Sequence, residues 1–291
     1  MSMASLAERI SVGRRGALRV RYGQIAAHAI LVVLVVLSLY PFVYMLITSV
    51  KSIDQFYHSY FEPTLPFHFE NYLEAWSQVG GYMINSISVT AVSVILVLLF
   101  ASLAGYVFSR YRFPGSELLF MTVMLVMMVP AILNMLPVFV TLRDFGLLDT
   151  HLALIVVYVS QGQVLGVYIF RNFFISIPDE LLDAAEIDGA GDLLTLWNVI
   201  VPLSKPIIFT VAVMSTLTFW NEYIWPLIIL SSQRLWTITL GLVVFEARYA
   251  GMAAWGPLFS GYVIASIPLI VLFAFSMKYF VAGLTAGAVK G

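Results

Sequence analysis

An all-α membrane protein with six transmembrane helices is the fold class this sequence predicts, and three observations predict it. Of its 291 residues, 61% are hydrophobic and only 11% are charged, against about 25% charged in an average soluble chain. The mean hydropathy is +0.94. The apolar residues are also gathered into runs close to the roughly 20 residues a helix needs to cross about 30 Å of hydrocarbon. The runs extend from Ile25 to Ile47, Met83 to Phe108, Leu118 to Leu142, Leu152 to Phe170, Ile207 to Leu230 and Phe259 to Phe280. The expected organisation is a tail over 1–24, a membrane domain over 25–280 and a second tail over 281–291.

An even number of spans puts both termini on one side, and the basic residues choose the side. With the N-terminus cytoplasmic, the inner segments hold Arg9, Arg14, Arg15, Arg19, Arg21, Arg110, Arg112, Arg171, Lys205, Lys278 and Lys290, whereas the outer ones hold only Lys51, Arg143, Arg234 and Arg248. Loops rich in Lys and Arg stay on the cytoplasmic side. The expected topology is therefore N-in, C-in. The stretch RRGAL from Arg14 resembles a twin-arginine export signal. The apolar run behind it is too long for a signal core and five more spans follow, so those arginines are expected to orient the first helix.

Composition excludes other classes. Fifteen Lys and Arg against sixteen Asp and Glu leave no basic surface for a phosphate backbone, so no nucleic acid is expected as a partner. With no cysteine in the chain, disulfides and thiolate chemistry are absent. The outer segment from Thr48 to Tyr82 is aromatic and acidic, suited to the membrane interface, and its His58 and His68 lack metal-ligand spacing.

One polar stretch stands out. DELLDAAEIDGAGDLLTLWNVIVPLSKP, from Asp179 to Pro206, carries six of the sixteen acids between two membrane runs. On this topology it faces the cytoplasm. Ser176 with Asp179 three residues on reads as a capping box, and Pro178 suits a first turn, so a helix is expected to start near Ile177. Leu181, Ala184, Ala185 and Asp188 share one face of it. Gly189 and Gly191 are expected to end it through a left-handed turn. Asp192 is expected to cap a second helix, Leu193 to Ile200, that stops before Pro202. A helix lying on lipid headgroups would carry Lys or Arg on its polar face, and this one carries none. A protein partner is the better fit.

At these residues the chain resembles the integral-membrane permease subunits of binding-protein-dependent ABC importers, whose EAA loop has an E-A-A triplet, a glycine and a later proline. Asp183, Ala184 and Ala185 match the triplet, Gly189 the glycine and Pro202 the proline, with Asp183 in place of Glu and Val201 in place of Leu. Asn85-Ser86, SRYRFPG from Ser109, TFWNEYIWPLI from Thr218 and the ending FVAGLTAGAVKG from Phe280 are similar to the second, maltose-type permease of the carbohydrate-uptake branch. The resemblance implies that the loop, about 175–206, docks an ATPase through Asp183, Ala184, Ala185, Asp188, Gly189 and Pro202. It also implies a second six-span permease, an ATP-binding cassette ATPase dimer carrying ATP and Mg, an extracytoplasmic solute-binding protein, and a multi-pass place in the lipid of a bacterial or archaeal plasma (inner) membrane. This chain would bind no cofactor and catalyse nothing itself. Consistently, none of its four lysines ends a phosphate-cradling Gly-Lys-Ser/Thr loop, and no H-E-x-x-H or G-x-S-x-G occurs.

Polar groups in hydrocarbon mark candidate pathways. Counting about 1.5 Å per residue puts Asn134, Gln161, Gln163, Asn221 and Glu222 near or slightly outside the midplane, where carriers hold substrate. Pro130, Pro137 and Pro226 are expected to bend the helices there, and Trp220, Tyr223 and Trp225 offer flat faces to a sugar ring. The competing reading is a secondary transporter or channel acting alone, but Glu222 is the one acid well inside a span, thin material for an ion relay.

Overall fold

The computed structural model describes the backbone of residues 3–288 and the side chains of residues 24–277. Among the described residues every regular element is helical. The order is α1 (Met3–Ser49), α2 (Ile53–His58), α3 (Glu70–Arg110), α4 (Ser116–Met127), α5 (Ala131–Asp144), α6 (His151–Ile175), α7 (Glu180–Ile187), α8 (Asp192–Thr195), a π-turn over Leu196–Ile200, α9 (Val201–Leu203), α10 (Lys205–Trp220), α11 (Ile224–Ile229), a short 3-10 turn at Gln233–Leu235, α12 (Ile238–Gly251) and α13 (Trp255–Ala288). The expected C-terminal tail is thus helical as far as Ala288, and its last three residues, Lys290 among them, lie outside the described residues.

Four stretches are long and apolar enough to cross a membrane: Gln24–Ser49 and the helices α3, α6 and Trp255–Met277; the number rises to six if two bent helix pairs each count as one span. The bends depart from the straight spans read from the sequence. Between α4 and α5 the axis turns by 101°. Pro130, which has no N–H to continue the ladder and restricts the residue before it, stands at the N-cap of α5. Depths counted along a straight third helix therefore do not hold. The second bend, 81°, lies at Ser204 between α9 and α10, where the Ser204 hydroxyl donates to the Ile200 carbonyl at 2.6 Å. The run expected to form one span from Ile207 to Leu230 is also interrupted, at Asn221–Tyr223.

The centre of the molecule is α3 against α6. At 41 residues, α3 is about 60 Å long, roughly twice the hydrocarbon thickness. It approaches α6 closely because small residues face each other at helical spacing. A Cβ on Gly162 would lie 2.6 Å from Val97, one on Gly166 2.8 Å from Ala101, and one on Gly105 2.7 Å from Phe170. Gly162 and Gly166 form a G-x-x-x-G spacing, which lets membrane helices pack backbone to backbone where lipid offers no hydrophobic drive. Around this seam lies the larger core, with Val97, Tyr158, Phe170, Phe174, Phe219 and Trp225. A second, holding Val79, Met83, Trp220, Phe245 and Leu258, joins α3 to α12 and α13.

The end of the bundle carrying the N-terminus of α3 is here called the upper end, and the other the lower end. Lys51, whose carbonyl accepts from the Asn71 amide near the start of α3 at 3.0 Å, is completely buried, with Nζ donating to the Ser59 carbonyl at 2.5 Å and to that of Tyr60 at 3.3 Å. Burial pulls its pKa below the ordinary lysine value, against the opposing pull of Glu62.

Candidate functional site

At the lower end, α7 to α9 form a helix, a glycine turn and a second helix, as the sequence predicts. The turn depends on Gly189, whose φ of +80° lies in the left-handed region. Its N–H bonds to the Glu186 carbonyl and that of Ala190 to the Ala185 carbonyl, closing the helix end. Gly191, by contrast, is extended and serves as the N-cap of α8.

Three local expectations fail. The capping box at Ser176 is not made, because the Ser176 hydroxyl donates backward to the Phe173 carbonyl at 2.6 Å and α7 begins at Glu180 with no side-chain cap. Asp192 is the first residue of α8 rather than its cap. The second helix does not stop before Pro202. Its π-turn lets the Val201 N–H reach back to the Leu196 carbonyl, so the chain passes through Pro202, which sits in the first turn of α9 and needs no bond there.

Of the face read from the sequence, Ala185 turns inward and is buried, while Leu181, Ala184 and Asp188 are exposed together with Asp183, Gly189 and Pro202. Ile187 is 85% exposed and Leu193 64%, so acids and apolar side chains mix on the outer surface of the loop. The loop is fastened to the bundle at its base. Arg110, the last residue of α3, donates to the Asp179 carboxylate at 2.5 Å and to the carbonyls of Phe174 and Ile177 at 2.5 and 2.9 Å. Next to it, the Asp192 carboxylate accepts from the Tyr111 hydroxyl and, with burial second, raises the tyrosine pKa above its ordinary value.

The polar residues expected in the spans separate into three places. Asn134 and Gln161 line one cavity of about 410 Å³ among α5, α6 and α11, with Ser160 and Trp225 in its wall. Gln163, two residues on, points the other way and lies 3.5 Å from the Leu96 and Val97 carbonyls of α3. Asn221 and Glu222 occupy the interruption between α10 and α11. The Asn221 amide donates to the Leu217 carbonyl at 2.8 Å, and a Glu222 carboxylate oxygen accepts from the backbone N–H groups of Ile224 and Trp225 at 2.9 and 3.2 Å. They supply hydrogen-bond partners that the broken helix lost. Tyr223 is half-buried beside them, and Pro226 falls in the first turn of α11, where its missing N–H costs nothing. Trp220 belongs to the second core and edges a separate apolar cavity of about 320 Å³ among α3, α10 and α13.

A helical chain with membrane-spanning helices, a glycine-turned loop at one end and a largely apolar cavity that also holds Asn134, Ser160 and Gln161 is the architecture of an integral membrane protein, and the comparisons place it among transport components. Residues 97–286 match the family described as the inner membrane component of binding-protein-dependent transport systems, and the chain belongs to that family. It is 30% identical to the diacetylchitobiose uptake system permease protein NgcG of Streptomyces coelicolor, over 91% of this chain and 88% of that one. It is 33% identical to the melibiose/raffinose/stachyose import permease MelC of Bacillus subtilis, over 86% and 91%, and 31% identical to the trehalose/maltose permease MalG of Thermococcus litoralis, over 89% and 94%. Its fold is shared with a chain of a bacterial ABC transporter that imports the acidic polysaccharide alginate, at a TM-score of 0.78 and 24% identity, covering 89% of this chain and 97% of that one.

Proposed function

We propose that this chain is one of two permease subunits of an ATP-driven sugar importer, with six spans, both termini cytoplasmic, in the plasma membrane of its cell. The lower end is then the cytoplasmic end. The loop of α7 to α9 docks the ATPase, which alone holds ATP and Mg, and the solute-binding protein delivers at the upper end. Solute passes by alternating access between this chain and the second permease.

The observation that carries this reading is the left-handed Gly189 (φ +80°) four residues after Ala185. It ends a helix whose acids Asp183, Glu186 and Asp188 face outward, in a chain with no phosphate-binding loop of its own. Six acids without a basic residue between Asp179 and Asp192 disfavour an anionic leaflet as the partner. A neutral sugar as cargo is supported by the cavity wall. Asn134, Ser160, Gln161 and the Trp225 ring offer hydrogen bonds and a flat apolar face, and the residues lining it include no charged side chain, as an anion such as a glycerol phosphate would require.

Reconstitution tests the reading. Proteoliposomes holding this chain, the second permease and the ATPase from the same operon, with the binding protein outside, are expected to accumulate a labelled oligosaccharide only with ATP inside. Replacing the Walker lysine of the ATPase is expected to abolish uptake. Uptake by the purified chain alone, down a gradient and without ATP, would favour a carrier or channel.

A further inference from the structure

The lower ends of α3 and α6 are tied by two arginines that reach across in opposite directions. Arg110, the last residue of α3, extends to the Phe174 carbonyl in the last turn of α6 and to the Ile177 carbonyl just past its end. Arg171, on the last turns of α6, extends to the Phe108 carbonyl of α3 at 3.3 Å and to the Glu117 carboxylate of α4 at 3.3 Å, with its guanidinium 3.9 Å from the centre of the Phe120 ring. Both cations sit at the C-terminal ends of helices, where the helix dipole is negative. Both are largely buried, 13% and 19% exposed at the side chain.

They differ in what else they hold. Arg171 ties only membrane helices together. Arg110 also grips the first residues of the loop, through the Ile177 carbonyl and the Asp179 carboxylate, one turn before α7. One guanidinium thus spans the end of α3, the end of α6 and the base of the loop. We infer that Arg110 is the positioning residue that makes α7 move as one body with the α3–α6 core, so that displacement of the loop becomes displacement of the helices rather than flexing at residues 176–179. This rests on the proposed docking role of the loop. The planar fork of arginine suits this, because it aims separate N–H donors at a carboxylate and two carbonyls together. A lysine at the same place has a single ammonium on a flexible stem and cannot hold all three in register.

The chain has no cysteine, so two introduced cysteines are the only thiols it contributes, and the partner subunits are used with any cysteines of their own replaced. Spin labels at Arg112→Cys, just past α3, and Ile187→Cys, at the exposed end of α7, measure the separation of core and loop in the full complex. With Arg110 present, the distance distribution is expected to be narrow and to keep its centre with and without ATP. Arg110→Lys is expected to broaden it, and to lower transport per ATP hydrolysed at least tenfold while ATP hydrolysis continues. Asp179→Asn, at a carboxylate 81% exposed and so removable without a folding defect, is expected to give a smaller change in the same direction. Glu117→Gln, which loosens only the other bracket, is expected to leave the distance unchanged. A narrow, unshifted distribution with unchanged transport per ATP in both Arg110→Lys and Asp179→Asn would overturn the assignment. The same labels on the chain purified without an ATPase test the clamp itself. If no ATPase associates with the unaltered chain, it is the docking role that has failed.

Discussion

The two loops that interrupt the second half of the chain are held in opposite ways. At the upper end, residues 230–237 are pinned along their whole length by side chains of α3, α6 and the turn before α6. Asp149 accepts from the backbone N–H groups of Ser231 and Ser232 at 3.0 and 2.8 Å and from the Ser232 hydroxyl. The Asn85 amide donates to the carbonyls of Arg234 and Trp236, the Ser86 hydroxyl accepts from the Ile238 N–H at 2.7 Å, and His151 meets the Leu235 carbonyl at 2.9 Å. At the lower end the loop of α7 to α9 is anchored by Arg110 at its base and by the fully buried Leu196 and Ile200 of its second helix, while its acids at Asp183, Glu186 and Asp188 are exposed. A segment whose polar groups are satisfied within the chain is a fixed platform. One whose apolar side chains are anchored in the core while its charges face outward presents the surface that the proposed docking role requires.

The seam between α3 and α6 underlies both loops, so breaking it is expected to have the largest effect. Gly105→Leu drives a side chain into Phe170 and the Arg171 backbone, and overpacking of this kind costs about 1–3 kcal/mol or more. The expected result is loss of folded protein, seen as a collapsed yield and aggregation on size-exclusion chromatography in detergent.

Next in size is Gly189→Val, which acts on the lower loop alone. A β-branched residue in the left-handed region costs about 1–2 kcal/mol. Because nothing lies within 4 Å of the added Cβ, the strain stays local. Membrane levels are expected to be normal, with ATPase recovery on co-purification and uptake both strongly reduced. Gly189→Asn, which tolerates this conformation better, is expected to retain part of both.

Substitution of Asp149 is expected to act on the upper loop only. The hydroxyl and N–H of Ser232 hold its carboxyl below the usual aspartate range. With the folded pKa depressed, the stabilisation is fully present above the ordinary aspartate value and is lost as pH falls through the lowered one. The protection of the Ser231 and Ser232 amides, measured against their intrinsic exchange at each pH, is therefore expected to fall at acid pH in the parent and to be low across the range in Asp149→Asn, with ATPase recovery unchanged. Smallest in its effect on transport is Ser86→Ala, which leaves the buried Ile238 N–H without its acceptor. It is expected to cost about 1–3 kcal/mol, measurable as a lower midpoint of thermal unfolding with transport retained.

Much of this contrast was legible in the sequence and part of it was not. Long apolar runs announce α1, α3, α6 and α13, and a glycine four residues after an alanine pair announces the turn at Gly189, because each signal is local. The bend at Pro130 was legible as a bend, but its 101° angle is a tertiary matter. Asn221 and Glu222 drew attention as polar groups in hydrocarbon, yet part of their hydrogen bonding goes to a helix break that hydropathy alone does not reveal. Helix α12 escaped because its 14 residues are too few to span, although Ile238, Gly241, Phe245 and Tyr249 recur on one face and are buried. Gly162 and Gly166 carry a spacing that pointed to the α6 seam and went unused. Arg110 was read for its charge alone, since nothing local foretells that one guanidinium meets residues more than sixty positions away.

The contrast between the two ends is tested most directly by photo-crosslinking in intact membranes. A photoreactive amino acid at Ile187 or, in a parallel strain, at Leu65, respectively 85% and 78% exposed, samples the two ends with equal access. The account predicts an adduct between the chain and the ATPase from position 187 and none from position 65. No ATPase adduct from 187, together with labelling of Ile187→Cys by a membrane-impermeant thiol reagent added outside the cell, would contradict it.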